Sequence, residues 1–266
     1  MSNNSAFGEN ATQYFYELTP EKILSAVEKT GLICTGRVLT LNSMENRVYE
    51  VEIEIDGPSP QNPSERFRII KFYRPGRWSK EQILEEHQFL LDLVEHEIPA
   101  VAPIKFTDGT TLNTFEEIGI HFAVFPKVGG RNPDELSNDQ LSQIGRLLGR
   151  MHSVGKSREG KHRITLSPTT YGRNNLKYLL ESNSLPLTIK DQYAKTVEQI
   201  CGHADRLYEG VKLQRVHGDC HLGNLLWGRE GPFWVDFDDM VNGPQMQDLW
   251  LIVPGRDEEA KQQFEI

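Results

Sequence analysis

The feature that most constrains this chain is the stretch His217-Gly218-Asp219-Cys220-His221-Leu222-Gly223-Asn224, followed by Trp234-Val235-Asp236-Phe237-Asp238. It sets an Asp, an Asn five residues on, and a second Asp just past a short apolar run. Phosphoryl transfer from a nucleotide calls for such a set. One carboxylate faces the incoming hydroxyl, while an amide and a second carboxylate hold Mg²⁺ on the phosphates. On this reading Asp219 orients or deprotonates the acceptor hydroxyl. Asn224 lends the metal a neutral oxygen and Asp236 a carboxylate. Hard oxygen donors of this kind suit Mg²⁺ rather than Zn²⁺.

Two other readings of the same residues stay open. His217, Asp219 and His221 would share a face on an extended segment and could serve a transition metal, as in a metal-dependent hydrolase. That leaves Asn224 and Asp236 without a role. Cys220 is either a nucleophile or a small filler in a tight loop. The second is favoured, because its neighbours already supply a complete phosphotransfer set.

Further candidates lie upstream. Lys71 ends the apolar strand Ile69-Ile70-Lys71-Phe72, and a Glu-bearing helix follows at once. A strand Lys paired with a helix Glu is how a phosphotransfer site grips the α- and β-phosphates. The partner is Glu86 or Glu85. Glu86 is preferred because the helix's apolar residues Leu90, Leu93 and Val94 lie four to eight residues beyond it. No G-x-G-x-x-G loop is present. The turn Asn42-Ser43-Met44-Glu45-Asn46-Arg47 could still offer a hydroxyl and backbone N–H groups to a phosphate, with Ser43 the candidate. Phe125-Pro126-Lys127-Val128 is either an adenine-edge backbone or a plain linker. Asp248 is placed to bond the catalytic-loop backbone or to cap a helix. Asp238 and Asp239 read as supporting residues.

Composition narrows the class. The chain has 266 residues, 29 basic and 38 acidic side chains, and a net charge of −9. That balance argues against a nucleic-acid partner. No apolar run reaches membrane-span length, and segment 1–6 lacks the basic and apolar parts of a signal peptide. Three scattered cysteines, Cys34, Cys201 and Cys220, fit a reducing cytoplasm.

Periodicity predicts a helix over 20–29 with Thr19 as N-cap, then strands at 38–41, 48–55 and 67–73. A capping box at Ser79 and Gln82 opens a helix running to about 94. Strands are expected at 100–106 and 121–125. Gly129-Gly130-Arg131-Asn132-Pro133 marks a boundary. Helices follow at 141–152 and 191–208, and short strands around Val216, Leu225-Leu226 and 233–235. Segment 257–266 reads as a helix cut off without a stop signal. The expected architecture is α+β and two-lobed: a small antiparallel β lobe over 1–128 that binds nucleotide, and a mainly helical catalytic lobe over 129–266.

Protein kinases carry the motif as H-R-D-x-x-x-x-N and D-F-G. Here Gly replaces the Arg and Asp the last Gly. Together with the blocks at 41–49, 71–75, 85–89 and 242–250, the H-G-D-x-H-x-x-N form resembles the aminoglycoside phosphotransferase and choline kinase-like group, and within it the bacterial stress-response kinases. The resemblance runs from about residue 7 onward. It implies a protein-kinase-like fold and a cytoplasmic, ATP- and Mg²⁺-dependent Ser/Thr protein kinase linked to envelope or oxidative stress; a monomer is expected. By position it implies that Asp219 is the proton acceptor, that Asn224 and Asp236 bind Mg²⁺ with Asp236 also catalytic, and that Ser43 contacts ATP. It further implies helices beyond residue 266 that complete the acceptor side. Alternatives are a small-molecule kinase acting on an aminoglycoside, choline or sugar, and an inactive nucleotide-binding chain.

Overall fold

The alternating run after Asn46 becomes the second strand of an antiparallel sheet. The computed structural model describes residues 13–43, 45–58, 60–253 and 258–265. Segment 1–6, Met44, Asp257 and Ile266, all read above, lie outside the described residues. Strands β1 (Cys34–Leu41), β2 (Arg47–Ile53), β3 (Phe67–Phe72), β4 (Asn113–Phe115) and β5 (Ile120–Pro126) pair in the order β1-β2-β3-β5-β4. Lys71 therefore sits in the middle strand, opposite Val48 on one side and Ala123 on the other.

Strand alternation gives the sheet two unlike faces. Ile70, Phe72, Phe122 and Val124 point into an apolar cluster with Phe106, Phe115, Ile120 and helix α1 (Pro20–Glu28). Thr19 caps α1 by accepting from Lys22 N, and α1 buries Ile23, Ala26 and Val27. Lys71 and Tyr73 point the other way, toward helix α2 (Lys80–Glu95). The predicted capping box at Ser79 and Gln82 is present, with both reciprocal bonds formed. Helix α2 buries Ile83, Phe89, Leu90 and Leu93, and among them the polar Glu86 and His87.

The strand expected at 100–106 is absent. Pro103 lacks an N–H and breaks any ladder there. The segment runs extended, with Ile104 N donating to Val124 O at 2.7 Å and Ala100 making a single parallel bridge to Trp234.

The second unit starts with α3 (Asn138–Gly155), opened by a capping box of Ser137 and Gln140. Its buried stripe is Leu141, Ile144, Leu147, Leu148, Met151 and Val154, the predicted 3.6-residue period. A single π-helical turn (Pro168–Arg173) leads into α4 (Asn174–Glu181), and α5 (Lys190–Tyr208) follows. Strand β6 (Gln214–Val216) precedes the hairpin β7 (Leu225–Gly228) and β8 (Gly231–Trp234). Strand β9 (Val241–Gly243) pairs antiparallel with β6, and α6 (Glu258–Glu265) is the last element.

The chain divides into two compact units, Met1–Asn132 with Leu226–Val235, and Pro133–Leu225 with Asp236–Ile266. Most of the β7–β8 hairpin thus belongs with the first unit. Arg131 and Trp227 exchange backbone hydrogen bonds of 3.2 and 2.9 Å there.

Candidate active site

In the second unit the site is built outward from one buried carboxylate. Asp248 has no solvent exposure. Its Oδ2 accepts from His217 N at 3.0 Å and from His152 Nε2 at 2.9 Å; its Oδ1 accepts from Gly218 N at 2.8 Å. Three donors on one carboxylate fix the backbone just ahead of Asp219. Gln247 adds a bond from Nε2 to Gly218 O at 2.9 Å.

Gly218 is required at its position. Its φ is +90°, and a Cβ there would stand 2.0 Å from Asp239 O. That close approach locks the loop to the segment following Asp236. The ring of His217 lies 4.4 Å from that of Phe237, reinforcing the same junction. His217 is fully buried, and its Nδ1 accepts from Asp219 N at 3.2 Å. His221 Nδ1 accepts from Gly223 N at 2.9 Å and caps the turn Leu222–Asn224. Both imidazoles thus use a ring nitrogen on the loop's own amides. Among the described residues no group of three or more His, Cys, Asp and Glu is placed to hold a metal.

The loop brings Asp219 and Asn224 together. Asn224 Nδ2 donates to Asp219 O at 3.0 Å and to Asp219 Oδ2 at 3.1 Å. Its amide oxygen remains the acceptor atom. His221 Nε2 lies 3.4 Å from the same Asp219 Oδ2. Asp236 is exposed and left-handed, with φ 64° and ψ 65°. A non-glycine residue in that region carries about 1–3 kcal/mol of strain, and such strain clusters at functional sites. Asp238 is buried, and Arg163 donates to its backbone oxygen and to that of Met240.

Cys220 is buried with no exposure. Desolvation first, and then the charges of Asp248 and Asp219, push its thiol well above the usual range. A thiol held neutral in this way is a poor nucleophile, in keeping with a filler.

In the first unit Lys71 and Glu86 are 8% and 1% exposed, and Nζ lies 3.8 Å from Glu86 Oε1. Glu85, one position off the helix's buried stripe, is only half-buried. Ser43 is half-buried in the β1–β2 connection. That connection is tied to the sheet by Asn46, whose Oδ1 accepts from Arg74 N at 3.0 Å. At the end of β5, Lys127 turns back to Glu50 at 2.5 Å. Sequence reasoning missed His152, and it missed the buried set Tyr73, His87 and Thr111 behind Lys71. For His152 and His87 the available signal was a polar residue falling on an otherwise apolar helix stripe; Tyr73 and Thr111 lie outside helices and gave none.

The donor set suits a hard cation carried by phosphates. An amide oxygen from Asn224 and a carboxylate from Asp236 are ligands Mg²⁺ accepts, and it usually takes only one or two such groups beside phosphates and water.

Residues 39–265 match the model of the phosphotransferase enzyme family. The chain belongs to that family. It is 39% identical to stress response kinase A of Escherichia coli over 264 residues, spanning 99% of this chain and 75% of that protein. It is 38% identical to the serine/threonine protein kinase RdoA of Salmonella typhimurium over 252 residues, 94% of this chain and 73% of that one. The fold is shared with amicoumacin kinase hAmiN, solved with AMP-PNP, Ca²⁺ and Ami, at a TM-score of 0.74 and 19% identity over 97% of this chain and 78% of that one. It is also shared with a spectinomycin phosphotransferase solved with ADP and spectinomycin, at 0.64 and 14% over 93% and 79%. The expected α+β kinase-like architecture therefore holds, and so does the expected phosphotransferase class. No described helix is long and apolar enough to cross a membrane.

Proposed function

We propose that this phosphotransferase moves the γ-phosphoryl group of ATP to Ser or Thr hydroxyls of a protein substrate, as a stress-response kinase. The observation that carries the reading is its 38–39% identity, over most of their length, with relatives named as stress-response and serine/threonine protein kinases. The antibiotic kinases share the fold at 14–19% identity, which says nothing about the acceptor.

In this reading Lys71, held beside Glu86, neutralises phosphate charge from the nucleotide-binding unit, and Ser43 contacts ATP from the β1–β2 turn. Asn224 and Asp236 hold Mg²⁺, which when bound shields the negative charge of the phosphates. Asp219 accepts the hydroxyl proton. Asn224 Nδ2 fixes the Asp219 carboxylate, so one residue serves both base and metal. Catalysis is chiefly positioning and charge neutralisation. The molecule works as a cytoplasmic monomer. The free thiols Cys34, Cys201 and Cys220 fit a reducing setting, and the net charge of −9 fits a partner other than nucleic acid.

The test is transfer of labelled γ-phosphate from Mg-ATP to the protein itself and to a generic Ser/Thr substrate, with aminoglycoside, choline and sugar acceptors alongside. Asp219→Asn should lower transfer by about 10²–10⁴-fold while leaving ATP affinity largely intact. Label on a small molecule and none on protein would overturn the acceptor class. Unchanged turnover in Asp219→Asn would remove that residue from the mechanism.

A further inference from the structure

Lys71 and Glu86 are farther apart than a tight ion pair. Charge-assisted N–H···O bonds usually span about 2.7–2.9 Å, and this pair is 3.8 Å apart. A second group also locates the ammonium. Tyr73 follows Lys71 by two residues, so both side chains leave the same face of the strand. Lys71 Nζ stands 5.1 Å from the centroid of the Tyr73 ring, within the distance at which a ring's negative face attracts a cation.

That ring is itself anchored. Tyr73 is 2% exposed, and its hydroxyl lies 2.9 Å from His87 Nε2. His87 is 1% exposed, and its Nδ1 lies 2.9 Å from Thr111 Oγ1. Neutral imidazole has one donor and one acceptor nitrogen, so a single ring satisfies both hydroxyls. The edge of Phe125 closes the far side of His87, at 6.1 Å and 88°. Tyr73 N donates to His121 O at 2.9 Å, which holds its backbone on β5. A chain of three buried polar side chains thus runs from the loop before β4, through α2, to a phenol ring beside the Lys71 ammonium. Such groups are costly to bury unless paired, and here each has a partner.

We propose that Tyr73, braced by His87 and Thr111, is a positioning residue that seats the Lys71 ammonium for the nucleotide phosphates. Glu86 supplies the opposite charge and the Tyr73 ring supplies the direction. This rests on the proposed role of Lys71 in ATP binding. The seat acts on nucleotide affinity and leaves proton transfer at Asp219 alone.

The experiment is a graded change in the ring. Tyr73→Phe keeps the aromatic face and loses the hydroxyl. Fluorinated phenylalanines at position 73, up to the pentafluoro form, keep its shape and remove the negative face. Tyr73→Leu removes the ring. Dissociation constants for Mg-ATP, kcat, KM for ATP and thermal midpoints are read for each, with Lys71→Ala as the reference. The expected result is an affinity that falls stepwise with fluorination, reaching about 5–30-fold weaker, the range that a desolvated cation–π contact implies. KM for ATP should rise in step while kcat falls less, and Tyr73→Phe should retain most of the affinity. In the Lys71→Ala background the same series should be flat.

Affinity independent of fluorination, with Lys71→Ala still binding weakly, would overturn the seat and leave the role of Lys71 intact. Thermal midpoints that drop without a change in affinity would show a structural role only and would overturn it equally. Wild-type protein that binds no Mg-ATP would overturn the ATP reading, and this inference with it.

Discussion

Asp248→Asn offers the sharpest test of how the site is held. The carboxylate accepts from three donors, two on Oδ2 and one on Oδ1. Asparagine has one acceptor oxygen. Its best placement puts that oxygen where Oδ2 was, keeping His217 N and His152 Nε2. The new NH2 group then faces Gly218 N, at a position where the wild-type distance is 2.8 Å. One charge-assisted bond is lost, worth about 1.5–3 kcal/mol. The two that survive become neutral bonds of roughly half the strength. The loss should come to about 3–6 kcal/mol, a large part of the 5–15 kcal/mol that typically holds a domain folded. Urea denaturation measures this as a lower midpoint at unchanged slope. Because Gly218 precedes Asp219, turnover should fall as well, by up to about 10²-fold for a displacement near 1 Å. His152→Ala should cost less in the Asp248→Asn background than alone, since the two share one bond network. A loss under about 1 kcal/mol with full turnover would refute the claim that Asp248 holds the loop.

Three more outcomes follow from named contacts. Asp236→Gly should relieve the left-handed strain at φ 64° and stabilise the fold by about 1 kcal/mol, yet calorimetry should find Mg²⁺-dependent nucleotide binding weakened; equal affinity would count against Asp236 as a ligand. Gly218→Ala should destabilise by roughly 3 kcal/mol or more, as a Cβ would stand 2.0 Å from a backbone oxygen, and a melt like wild type would contradict the packing. At pH 8 a thiol reagent should label Cys34 slowly, since burial and Glu28 raise its thiol to about 11, and should reach Cys220 only after unfolding; prompt labelling of Cys220 by mass spectrometry would contradict its burial.

Local signals carried the helices. Ser79 with Gln82 announces the start of α2, and apolar phase within it separates Glu86, which is buried, from Glu85, which is half-buried. The same periodicity predicts α3 because its stripe is long and regular. Two of the shortest elements gave no such signal. β4 and β9 have three residues each, too few for alternation to show. Segment 100–106 has the apolar content of a strand, but Pro103 denies it a ladder. The return of Leu226–Val235 to the first unit depends on Arg131 and Trp227 pairing across nearly a hundred residues. No local pattern encodes that pairing.

Of the site, the motif exposes the residues that face chemistry and hides those that face inward. Asp219, Asn224 and Asp236 are legible because their spacing matches the set that phosphoryl transfer calls for. Asp248 and His152 are separated by almost the whole second unit in sequence, and only their shared burial joins them. Gly218 shows why this matters. Protein kinases place an Arg there; here the residue must be Gly, because the backbone of Asp239 occupies the space of its Cβ. That contact clamps the Asp219 loop directly to the turn that follows Asp236, with the tilted rings of His217 and Phe237 in contact at the same junction. Asp219 and Asp236, the proposed base and metal ligand, then belong to one connected piece, so a change at either clamp should disturb both together.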